Sequence, residues 1–145
     1  MTKITKSNVE AIIRSLSKQY KVKTTFSKSI KSRGLSRYWR RAITINSTCD
    51  PIEQLSIFFH ELGHIYCYDN GLWENYHLEK YPGDMTLEEK LLCYNTALKA
   101  ERWIDRWAKK EMKKHYPDLT FVFSYNCPLV AKQFKIEMKK ELCLN

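Results

Sequence analysis

Ile57-Phe58-Phe59-His60-Glu61-Leu62-Gly63-His64-Ile65-Tyr66 sets an HExxH pattern inside an apolar run. Residues four apart on an α-helix share a face and lie about 6 Å apart along the axis. His60 and His64 can therefore reach one tetrahedral metal ion, with Glu61 beside it. Imidazole nitrogens are natural zinc ligands, and a neighbouring carboxylate can act as general base toward water activated by the ion. The simpler alternative is a pair of core histidines with ordinary hydrogen bonds, because short matches to this pattern arise by chance. The flanks favour the metal. Leu62 and Gly63 are uncharged, as a helix packed on a core requires, and a carboxylate trapped among histidines is costly without a cation.

A catalytic zinc takes three protein ligands and keeps one position open. The remaining histidines are His77, in the loop-like stretch Trp73-Glu74-Asn75-Tyr76-His77, and His115. Glu101 is the better third ligand, because Asp105 follows it by one helical turn on the same face. Asp105 is then placed to accept the second ring N–H of a ligating histidine, which fixes the tautomer and the aim of the ring. Taken alone, an acidic pair in a helix rich in Lys and Arg reads as a solvated face with i,i+4 ion pairs. Beside His60 and His64 it reads as ligand and orienting acceptor.

Three blocks in order, Ile43-Thr44-Ile45-Asn46, Phe59-His60-Glu61-Leu62-Gly63-His64 and Glu101-Arg102-Trp103-Ile104-Asp105-Arg106-Trp107-Ala108, resemble the ImmA/IrrE metallopeptidases of phages, mobile elements and bacterial stress responses. HExxH followed by Glu-x-x-x-Asp looks like the gluzincin arrangement of zinc peptidases, and the likeness spans roughly residues 43–112. The family's third block usually reads Glu-Arg-x-Ala-Asn-Arg-Phe-Ala, so Asp105 stands where Asn is common and Trp107 where Phe is common. The 37 positions from His64 to Glu101 form a long gap for the family and imply an inserted loop or a longer final helix.

The resemblance implies an α+β, minimal zincin-like domain, mostly helical, with a small N-terminal sheet packed on the HExxH helix. It also implies a zinc-dependent endopeptidase whose substrates are often transcriptional repressors. One Zn2+ held by His60, His64 and Glu101, with Glu61 as base, is the expected centre. Two histidines and a carboxylate also accept cobalt, manganese or iron. An oxyanion needs a further donor, and Tyr76, His77 and Tyr81 are the candidates in the loop after the motif helix. Each is more economically an ordinary loop residue, as Trp73, Trp103 and Trp107 are core anchors.

The whole chain, 1–145, has the length of one domain, and 43% hydrophobic residues suffice for a core. Five scattered cysteines with no Cys-x-x-Cys indicate neither a disulfide framework nor a cysteine zinc knuckle, which fits a reducing cytoplasm. The opening residues hold no apolar signal core, and no stretch is long enough to cross a bilayer.

Ser7 or Asn8 can cap a first amphipathic helix ending near Tyr20. Residues 21–26 and 39–46 read as strands with a turn over 27–36. Asp50-Pro51 launches the motif helix, which stops at Asn70-Gly71. Thr86 with Glu89 forms a capping box for a helix over 87–115. Residues 119–125 look β-like, and 128–142 forms a closing helix with Lys132, Lys135, Lys139 and Lys140 outward.

The charge of +9 is concentrated: between Glu10 and Asp50 there are ten Lys and Arg and no acid. A solvated surface is the default reading of such a block. Nucleic-acid contact is a second, since Tyr38 and Trp39 lie among Arg37, Arg40 and Arg41, although no nucleic-acid motif accompanies them. Steering of an acidic peptide to a strand edge along the cleft is a third. The rival to a peptidase is therefore a catalytically inactive zincin-like binding or regulatory module whose basic segment contacts nucleic acid or an acidic partner.

Overall fold

The computed structural model describes residues 3–74, 82–123 and 128–144, with only the backbone of 128–131, 133 and 134. Its organising element is the motif helix α2, Pro51–Asp69, which packs against α1 (Val9–Tyr20), the strands and α3 (Leu87–His115). A last helix, α4, spans Pro128–Glu141 and packs on α3. Helix α2 is buried nearly all round, from Gln54 to Ile65, as a helix enclosed by neighbours on several sides must be. Pro51 occupies its first turn, and Gly71, with φ of +63°, provides the left-handed residue after its end.

Three strands form one sheet in the order β1-β3-β2: β1 is Lys23–Ser27, β2 Gly34–Arg37 and β3 Ala42–Asn46. β1 pairs with β3 in parallel, Lys23 opposite Ala42, while β2 runs antiparallel to β3, Gly34 opposite Ile45. β2 corrects the sequence reading, which assigned 27–36 to a turn and began a strand at 39. Gly34 and Ser36 have weak strand preference, and pairing with β3 outweighs it. Residues Tyr38–Arg40 instead make a 3-10 turn that ends at Arg41 with φ of +50°. The segment 119–123 is a second correction, since it forms no strand. Phe121 enters the core, and the Val122 N–H donates to Ser56 Oγ of α2 at 3.0 Å, taking a side chain in place of a strand partner.

The main core joins Ile13 and Leu16 of α1, Ile43 and Ile45 of β3, Phe58, Phe59 and Ile65 of α2, and Met112 of α3. Each such side chain contributes roughly 1.5–3 kcal/mol by leaving water. A smaller cluster of Cys93, Ala97, Met138 and Leu142 fastens the α4 end to α3. Asn8 does not cap α1 through its side chain. Its Oδ1 accepts the Thr5 N–H and its amide donates to Lys3 O, both at 2.7 Å, which ties down the preceding chain. The capping box of α3 is formed, with Glu89 N–H donating to Thr86 Oγ1 at 3.1 Å and Thr86 N–H to Glu89 at 3.3 Å. Cys49, Cys67 and Cys143 are free thiols. No helix among the described residues is long and apolar enough to cross a membrane.

Helices α2 and α3 approach closely at Gly63. A methyl group there would lie 2.7 Å from Ile104 Cγ2 and 3.3 Å from Trp107 Cε3. Ile104 is fully buried and has little room to yield. Overpacking costs about 1–3 kcal/mol, more than the helix-propensity gain of roughly 1 kcal/mol from replacing glycine. Gly63→Ala is therefore expected to lower stability by up to about 2 kcal/mol. Thermal denaturation of the metal-free protein checks this, and an unchanged or raised Tm would contradict the close approach.

Candidate metal centre

One turn of α2 separates His60 from His64, and one turn of α3 separates Glu101 from Asp105, so the packed helices face each other with two side chains each. His60 Nε2 lies 2.8 Å from Glu101 Oε2 and His64 Nε2 3.2 Å from Glu101 Oε1. The ligand atoms of His60, His64 and Glu101 all fall within 4.8 Å of one another. On the far side of its ring, His60 Nδ1–H donates to Asp105 Oδ1 at 2.7 Å. That bond leaves the Nε2 lone pair directed at the point where the three donors meet. All five groups, Glu61 included, are buried, with Asp105 at 0% and Glu101 at 2% exposure.

The electrostatics follow from this enclosure. Burial disfavours a charged His60, but Glu101 and Asp105, each hydrogen-bonded to the ring, together with Glu61, raise its basicity well above the ordinary value. Burial likewise works against an ionised Glu101, yet the imidazoles of His64 and His60 hold its carboxyl well below the usual carboxylate range. Glu61 is raised, chiefly by burial; His60 and His64 pull it down, and Glu101 and Asp105 push it up. A carboxylate raised in this way moves toward the range in which a general base serves near neutral pH.

The donor set suits a divalent cation. Tetrahedral zinc, with arms of about 2.0–2.1 Å, spaces neighbouring donors roughly 3.4 Å apart; the 2.8 and 3.2 Å contacts to the separate Glu101 oxygens are shorter than this, and the bound of 4.8 Å on the three donors is wider, so they must draw in about one ion. Three carboxylates buried against two imidazoles are also an expensive arrangement that a cation offsets. Cys67 is not a competing thiolate, since burial and, secondarily, Glu101 push its thiol up to about 12.

The remaining sequence candidates separate clearly. His115 points elsewhere, its Nε2 2.7 Å from the Tyr20 hydroxyl, so it is no alternative third ligand. Tyr76, His77 and Tyr81 lie outside the described residues. Trp103 and Trp107 are half-buried and stack on Tyr66 of α2, the latter at 4.8 Å between centroids. Sequence reasoning missed Gly34. A Cβ there would strike Ile57 Cγ2 and come within 3.2 Å of Glu61 Oε1, so the backbone of β2 runs directly against the Glu61 carboxyl. A glycine just before a Leu-Ser-Arg stretch was the available signal, but only the pairing with β3 reveals its use.

The model of the IrrE N-terminal-like domain, a peptidase family, matches residues 6–136. The chain belongs to this family. Neither the curated proteins nor the solved structures give a match. The IrrE-like membership covers α1, the sheet, α2, α3 and most of α4, so the fold reading of a mostly helical α+β zincin-like domain holds for nearly the whole chain. It also supports metallopeptidase chemistry at the His60, His64 and Glu101 cluster.

Glu101→Ala should abolish stoichiometric metal retention, and Asp105→Ala, which removes the acceptor for the His60 Nδ1–H, should weaken affinity about 10–100-fold, both measured by metal titration and elemental analysis. Because His60 is held protonated below its raised pKa in the metal-free protein, metal uptake there must release a proton, and affinity should fall as pH falls. Calorimetry in buffers of different ionisation enthalpy reads that proton directly. The linkage in the metal-free fold has two opposite signs. Raised His60 contributes stability that is full below 6.5 and lost as pH rises through its folded value, whereas depressed Glu101 contributes stability present above 4.5 and lost as pH falls.

Proposed function

We propose that this IrrE-like chain is a zinc-dependent endopeptidase in which residues 1–145 work as one catalytic unit, with His60, His64 and Glu101 as metal ligands and Glu61 as general base. The observation that carries the reading is the convergence of three buried donor atoms from two helices, with a fourth, raised carboxylate adjoining them. A divalent ion bound there supplies Lewis-acid activation of water and of the scissile carbonyl. Glu61 removes the proton of the attacking water and returns it to the departing amine, for which a raised carboxylate is suited in both directions. Asp105 holds the His60 ring in its ligating tautomer. The edge strand β2, whose Gly34 abuts Glu61, offers main-chain groups on which an extended substrate can lie. A regulatory protein of the cytoplasm, such as a phage or mobile-element repressor, is the substrate class that the family suggests.

One observation favours a second reading, that of an inactive binding module for nucleic acid or an acidic partner. Of the basic block, Arg14, Arg33 and Arg41 are engaged by Glu10, Glu53 and Asp69, while Lys23, Lys28, Lys31, Arg37 and Arg40 stand exposed without an ion pair among the described residues.

Glu61→Gln separates the two. It should keep its zinc and lose cleavage by at least about 100-fold, the usual scale for losing a general base. Mapping new protein termini in cells expressing the wild type or this variant reads the difference. Equal cleavage by both would remove Glu61 from the mechanism. Absence of any wild-type cleavage, together with DNA binding that weakens steeply with salt, would favour the binding module.

A further inference from the structure

Among the described residues the sheet ends in β2, which runs beside Glu61. Asn46 N–H donates to Arg33 O at 2.8 Å, and the antiparallel register carries this phase on to the pairs Leu35–Thr44 and Arg37–Ala42. Residues 35 and 37 thus direct their main-chain groups at β3, and the alternate residues Gly34 and Ser36 direct theirs at the free edge. The Gly34 carbonyl, accepting from the Ser32 hydroxyl at 3.1 Å, is one of these. A strand added there would run past Glu61.

Side chains alternate in the same way. Gly34 and Ser36 face α2, whereas Leu35, 50% exposed, and Arg37 stand on the outer face of the sheet. That face is arranged in two rows by register: Thr25–Thr44–Leu35, uncharged and ending in an exposed leucine, and Lys23–Ala42–Arg37, carrying two cations. Ala42 is too short to cover the Arg37 guanidinium, and no acid occurs between Glu10 and Asp50 to neutralise it. In an antiparallel strand added to β2, the positions opposite Leu35 and Arg37 would be the non-hydrogen-bonded ones, where side chains approach most closely.

Resting on the endopeptidase reading above, we propose that Leu35 and Arg37 are specificity-determining residues, selecting substrates with an apolar and an acidic side chain two positions apart on the strand that pairs with β2. Leu35 extends the uncharged row and favours an apolar neighbour. Arg37 extends the cationic row and favours Asp or Glu while rejecting Lys or Arg.

The test uses the full chain loaded with zinc. A proteome-derived peptide library is first digested and cleavage sites mapped, and one efficiently cut peptide is then synthesised with Glu or Lys at the acidic position. Wild type is expected to prefer Glu over Lys by about 3- to 10-fold in kcat/KM, the range a cross-strand charge pair can supply. Arg37→Glu should invert that preference with unchanged zinc content, and Lys23→Glu, on β1 with β3 and β2 between it and the added strand, should leave its direction intact. Equal rates on both peptides, or an Arg37→Glu effect that slows both alike, overturns the selection while cleavage itself upholds the peptidase. No cleavage of any library peptide by zinc-loaded wild type overturns the peptidase reading and this inference with it.

Discussion

The contact between the Glu101 carboxylate of α3 and the two imidazoles of α2 is the constraint on which the molecule turns. It joins two helices whose sequences are far apart, and it lies in the interior, where an unpaired charge would cost several kcal/mol. Holding it requires the helix axes to be close, which is why position 63, one residue before His64, has no side chain and Ile104 fills the space beside it. The packing of α2 on α3 and the geometry of the His60, His64 and Glu101 cluster are thus the same arrangement seen from two sides.

The rest of the fold holds α2 in place from its other faces. β3 contributes Ile43 and Ile45 from the sheet, α1 contributes Ile13 and Leu16, and the phenylalanines preceding His60 are buried against them. A helix clamped in this way has little freedom to rotate, so the direction of His60 and His64 is set by apolar packing some distance from the polar cluster. Asp105 completes the orientation by fixing one ring through its far nitrogen. Such rigidity is what a preorganised site needs, since donors free to wander would lose affinity and aim.

Much of this could be read from local patterns. Both ends of α2 and the start of α3 were legible because proline at a first turn, glycine after a last turn and a Thr-x-x-Glu box act over one helical turn. The HExxH pair was legible for the same reason. Glu101 was harder to choose, because its sequence neighbourhood is that of a solvated helix, and it was the need for a third ligand, the Asp105 carboxylate one turn later and the family likeness that singled it out. The strand at Gly34–Arg37 and the irregular course of 119–123 were misread. In each, the deciding hydrogen bonds come from residues remote in sequence, β3 in the first case and Ser56 in the second.

By itself, then, the sequence determined the helices, their caps, the HExxH spacing that puts His60 and His64 on one face of α2 and the cationic character of residues 11–49, all properties written in spacing and composition. Tertiary structure alone decided that Glu101 and Asp105 meet His60, that His115 does not, and that β2 lies along Glu61 with Arg37 outward. The physical reason is that periodicity fixes which face of a helix or strand a side chain occupies, whereas which faces come together depends on burying the whole core at once.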